Sequence, residues 1–179
     1  MATLLAGGDR RSIGRSDHVA AVVLGKPELF RELIPGLWSE NPVIRMRTAD
    51  AVEKVSPEQP ELLMPYKKEL LGLMPEAEDA ELRWHLAAMV PRLPLNSKER
   101  QRVASTLELY LGDRSSIVKT FALQGLADLA QSDPAMGAAV IEILREAARS
   151  GTPAMKARSR KLLRKTERAE VTGTWRQSS

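Results

Sequence analysis

The sequence has no cysteine, which excludes disulfide frameworks, thiolate metal sites and cysteine nucleophiles. Aromatic residues are scarce, with three Trp, two Tyr and two Phe among 179 residues. Strands favour aromatic and β-branched side chains, so this scarcity argues against a sheet. No apolar run reaches the roughly 18 residues a membrane span needs. The opening stretch Ala2 to Ala6 is also too short for the core of a secretory signal. Phosphate-binding glycine loops of the Gly-x-x-x-x-Gly-Lys-Ser/Thr or Gly-x-Gly-x-x-Gly type do not occur, nor does a Gly-x-Ser-x-Gly nucleophile turn. The two histidines, His18 and His85, are far apart and neither has a second His or Cys beside it, whereas a zinc site needs three or four converging ligands. The expectation is a cytoplasmic, non-enzymatic protein with no catalytic residue, metal, cofactor or small-molecule substrate, and no membrane contact.

What the chain does have is leucine (24) and alanine (22), both strong helix formers. Its charge is uneven. Residues 1–144 hold 17 Lys/Arg against 20 Asp/Glu, and residues 145–179 hold 10 against three. One end is therefore suited to an anionic contact.

Four segments align without gaps, starting at Ile44, Leu82, Val118 and Met155, and so spaced 38, 36 and 37 residues apart. Each opens with an apolar residue followed by Arg45, Arg83, Lys119 or Lys156, and carries an apolar residue at its ninth position. A period near 37 accommodates two helices and two turns. Asn41-Pro42, Ser56-Pro57, Asp133-Pro134 and Thr152-Pro153 each place a capping side chain before a proline, which has no N–H to satisfy in a first helical turn. Asp79, Ser97 and Asp113 are further expected caps. These signals predict helices over 16–24, 27–38, 42–55, 57–74, 79–93, 97–111, 114–131, 134–149 and 153–168, with Pro35, Pro65 and Pro91 kinking or shortening theirs.

On these segments the chain resembles the HEAT-repeat family, whose second helix typically reads Val-Arg-x-x-Ala-Ala-x-Ala-Leu. The match is closest at Leu82-Arg83-Trp84-His85-Leu86-Ala87-Ala88-Met89-Val90 and Val118-Lys119-Thr120-Phe121-Ala122-Leu123-Gln124-Gly125-Leu126. The family's aspartate five residues before the valine is present only as Asp113, with Ser39, Ala77 and Ser150 in the equivalent places. The resemblance implies an all-α fold, a right-handed α-α superhelix of about four and a half helix pairs. It would occupy a single repeat domain over 13–168, between a flexible leader (1–12) and a flexible tail (169–179).

At 100° per residue, Ile44, Thr48, Ala51, Val52 and Val55 form one core-facing stripe. Leu82, Leu86, Met89, Val90 and Leu93 repeat it, as do Val118, Ala122, Gly125, Leu126 and Leu129. The basic residue at each second position lies just off the stripe and is expected to pack its stem between repeats, with its head on a carboxylate or helix carbonyl. The opposite face carries Met46, Arg47, Asp50, Trp84, His85, Arg92, Phe121 and Gln124, with Lys54 beside them. In the family this face lines the concave side, which implies a protein-binding surface. Trp and Arg are enriched at binding hot spots, although Trp84 and Phe121 could equally pack as core under a kinked helix end. Truncating Lys54 or Gln124 is expected to cost little.

The last helix adds Lys156, Arg158, Lys161, Arg164 and Lys165 as an electrostatic contact, with an acidic protein segment placed ahead of nucleic acid as partner. The expected function is thus a scaffold or adaptor, and the alternative is a nucleic-acid-binding repeat protein. Some alkylpurine DNA glycosylases are built from HEAT-like repeats and use concave aromatic, Asp and Arg residues, which Asp50, Trp84, His85 and Phe121 partly match. Met46 stands where that family favours an aromatic, and residues 1–144 are net acidic, so this is the least favoured form of the alternative.

Overall fold

The computed structural model describes residues 15–171, with side chains as far as Thr166. The expected leader and most of the expected tail lie outside the described residues. The described residues are helical and contain no strand. The chain divides after Pro94 into two compact units.

In the first unit, α1 (Ser16–Gly25) packs on α3 (Pro42–Val55), and α3 packs on α5 (Ala80–Met89). Between them run two irregular segments. One is α2 (Phe30–Leu33) flanked by 3-10 turns at Pro27–Leu29 and Ile34–Trp38, and the other is a 3-10 stretch, Pro60–Tyr66, leading into α4 (Lys67–Glu76). Sequence reasoning predicts helices over 27–38 and 57–74 kinked or shortened by Pro35 and Pro65, and the structure divides each into α-helical and 3-10 pieces. Pro35, Pro65 and Pro91 each fall in a 3-10 stretch, because proline cannot donate the bond that holds the wider α-turn. The second unit contains α6 (Ser97–Tyr110), α7 (Ser116–Ser132), α8 (Gly137–Ser150) and α9 (Pro153–Val171). There α7 packs against α6, α8 and α9, and α9 lies along α8.

Several caps form as expected. Asn41 Oδ1 accepts from the Val43 N–H at 2.9 Å, Asp133 Oδ1 from Ala135 at 3.2 Å, and Thr152 Oγ1 from Met155 at 3.3 Å. Others differ. Asn96, not Ser97, caps α6 in a reciprocal box with Glu99. Ser115, not Asp113, caps α7, and Asp113 instead accepts from the Ser115 N–H. Ser56 closes α3 rather than opening the next helix, donating back to the Glu53 carbonyl at 2.8 Å.

The predicted core stripe is buried, except that Ile44 is half-exposed. Thr48, Val52, Val55, Leu86, Met89, Val118, Ala122, Leu126 and Leu129 are all nearly or fully inaccessible. The second-position arginines also behave as expected. Arg45 donates to the Ser39 carbonyl at 2.6 Å and to Asp79 through Nε at 2.8 Å, and Arg83 donates to the Ala77 carbonyl at 2.7 Å. Ser39 and Ala77 are the residues immediately after helical segments, so each guanidinium satisfies a carbonyl the preceding helix leaves open.

Candidate functional site

Two small networks of the same register stand on the face opposite the core stripe, one in each unit. In the first unit Asp50, the seventh residue of its segment, accepts from Lys54 one turn later on α3 at 2.5 Å. His85, the fourth residue of the following segment, brings Nε2 to 3.5 Å from Asp50 Oδ1. In the second unit Gln124 and Asp128 take the places of Asp50 and Lys54, joined at 2.8 Å. Arg158 takes the place of His85 and donates to Gln124 Oε1 at 2.8 Å. Each network carries an aromatic ring. Trp84 stacks on His85 with centroids 3.3 Å apart, and the Arg158 guanidinium lies 5.6 Å from the Phe121 centroid. A cation over a ring face is attracted by the ring's quadrupole.

Three expected surface residues are buried, which corrects the sequence reading. Arg47, Asp50 and His85 are 1%, 8% and 1% exposed. Helical phase alone put them opposite the stripe, but the adjacent helix covers that side. Asp50 is tied to α1 as well, since Ser16 donates to its Oδ2 at 2.5 Å. Burial pushes the Asp50 carboxyl up. The neighbouring His85, Lys54 and Ser16 side chains, with the Lys54 charge, outweigh that and hold it at about 2. Lys54 also binds Asp17 on α1, and it is raised despite its own desolvation because these two carboxylates favour the ammonium. Arg92 is likewise committed, to the Glu53 carbonyl at 3.1 Å, the Glu53 carboxylate at 2.6 Å and Ser56 Oγ.

Met46, Trp84, Phe121 and Gln124 are neither core nor fully exposed. On α9, Lys161, Arg164 and Lys165 are exposed while Lys156 and Arg158 are half-buried. Sequence reasoning missed Ser16, Asp17 and Glu53. The available signal was spacing, because Ser16 and Asp50 are separated by 34 residues, as are Gln124 and Arg158. Among the described residues no group of three or more His, Asp or Glu side chains could hold a metal ion, and no helix is long and apolar enough to cross a membrane. A groove of about 290 Å³ in the first unit is lined by Glu32, Leu33, Pro35, Gly36, Ser39, Ile44 and Thr48, none of which belongs to either network. Comparison with protein-family models, curated proteins and solved structures found no match.

Proposed function

We propose that the chain is a non-catalytic, HEAT-like repeat protein. It would form a right-handed α-α superhelix of about four and a half helix pairs and bind a protein partner through its second-helix face. The observation that carries this reading is the half-exposed aromatic of each unit, Trp84 or Phe121, braced from one side by His85 or Arg158. A ring held in place by a neighbour loses little conformational freedom on binding, the property of a good anchor. Met46 and Gln124 complete the accessible part of the face. Arg47, Asp50, His85 and Arg92 support it from beneath, and the basic helix α9 supplies a separate electrostatic contact.

A glycosylase reading is disfavoured by Asp50 itself. A carboxylate that already accepts from Ser16 and Lys54 beside His85, at 8% exposure, has no open side for a flipped nucleotide.

The test is photo-crosslinking in cells, with a benzophenone side chain placed singly at Met46, Trp84, Phe121 or Leu109. Leu109 is 77% exposed and belongs to α6, outside the aligned second-helix segments. The expected result is one shared adduct from the first three positions and none from Leu109. Equal labelling from all four, or no adduct from any, would overturn the reading.

A further inference from the structure

The basic residues of the last two helices are managed in opposite ways. On α8, Arg145 and Arg149 each pair with the glutamate three residues earlier, Glu142 and Glu146, both at 2.6 Å. On α9 the cations whose side chains are described divide into two sets. Arg158 and Lys165 turn toward α7, onto Gln124 and Gln131. Lys156, Arg160, Lys161 and Arg164 make no ion pair with any residue whose side chain is described, and the last three are exposed. Arg160, absent from the sequence-derived set, belongs with them. Lys156, Arg160 and Arg164 are four residues apart, so each is displaced by about 6 Å along the axis and about 40° around it from the last. They form a nearly straight cationic ridge, with Lys161 beside it.

The surroundings of the ridge decide its partner. Ala154 and Ala157 are its exposed uncharged neighbours, Met155 and Leu163 are half-buried, and α9 contains no aromatic residue. A protein interface is built on a charge-depleted core with apolar or aromatic anchors, and this face has none. Single-stranded nucleic acid is held by stacking its bases on aromatic rings, and these are also missing. A duplex backbone asks only for aligned cations.

We propose that the outward face of α9 binds the phosphate backbone of a nucleic-acid duplex without reading its sequence. This deepens the electrostatic contact assigned above to α9 and is independent of the protein-binding face. Its failure would leave the crosslinks from Trp84 and Phe121 unchanged.

The experiment is fluorescence anisotropy of the full chain with labelled 20-base-pair DNA and RNA duplexes of mixed sequence, from 50 to 200 mM salt. Binding of either duplex supports the proposal, and comparison of the two identifies the source of the phosphates. With about four phosphates neutralised, log K should fall with log salt at a slope of about −3.5, roughly a hundredfold over that range. Arg160→Glu/Lys161→Glu/Arg164→Glu should weaken binding at least about fiftyfold. The milder Arg160→Gln/Lys161→Gln/Arg164→Gln, checked for unchanged helicity, should bring the slope to about −1. Arg145→Gln/Arg149→Gln should bind as wild type does. The proposal is overturned if neither duplex binds at 50 mM salt, or if the triple glutamine variant keeps the wild-type slope. It is equally overturned if a polyglutamate peptide or phosphatidylserine vesicles bind where both duplexes fail.

Discussion

His85 Nε2 stands 3.5 Å from Asp50 Oδ1, and Nδ1 of the same ring lies 2.6 Å from the Glu81 carbonyl. A carbonyl only accepts, so Nδ1 carries a hydrogen, and the ring is oriented with Nε2 turned toward the carboxylate without a hydrogen bond to it. Asp50 is a joint between helices: it is hydrogen-bonded to α1 through Ser16 and to its own α3 through Lys54, and it lies against His85 of α5.

This joint should show in acid. The Asp50 carboxyl titrates lower in the fold than in the unfolded chain, so the stability it contributes is fully present above the unfolded value near 3.8. It is lost as pH falls through about 2. Asp50→Asn should cost on the order of 2 kcal/mol at pH 7. Measured by urea unfolding, the gap between wild type and variant should close between about pH 4 and pH 2. A gap independent of pH would show that the charge of Asp50 contributes nothing.

Two leucines of the second unit separate burial from composition. Leu126 is 1% exposed and Leu109 is 77% exposed. Leu126→Ala should destabilise by about 2–5 kcal/mol, and Leu109→Ala by less than about 0.5 kcal/mol, in denaturant unfolding. Lys54 and Gln124, read from the sequence as freely truncatable, hold partners in the two networks. Lys54→Ala should therefore lower stability measurably more than Leu109→Ala does.

Two glycines should respond with opposite sign. A Cβ on Gly72, inside α4, meets nothing within 4 Å. Gly72→Ala should raise the unfolding free energy by about 0.5–1 kcal/mol through helix propensity. A Cβ on Gly151, between α8 and α9, would lie 2.5 Å from the Ala147 carbonyl oxygen and 2.9 Å from Met155 Cβ. Because backbone cannot swing aside, Gly151→Ala should cost about 1–3 kcal/mol. Thermal melts of both variants check the pair, and equal shifts would contradict the close approach at Gly151.

The all-helical class, the order of the helices and the core stripe were legible in the sequence because each rests on local information. Apolar spacing near 3.6 residues put Val52, Leu86 and Leu126 on the inner side, and Asn41-Pro42 marked where α3 begins. Caps were less secure, since adjacent polar residues compete. Asn96 and Ser97 both suit the role, and only the reach of Glu99 back to the Asn96 N–H decides between them. The candidate site was legible as a set of positions but not as a surface. Periodicity says which residues share a side of a helix, and it cannot say how closely the next helix approaches that side. Tertiary packing drew Arg47, Asp50 and His85 inside and left Trp84 and Phe121 partly outside. It also sorted the described cations of α9 into those held by Gln124 and Gln131 and those with no ion-pair partner among the described side chains. That sorting depends on distances between residues about 34 positions apart, which a chain acquires only when it folds.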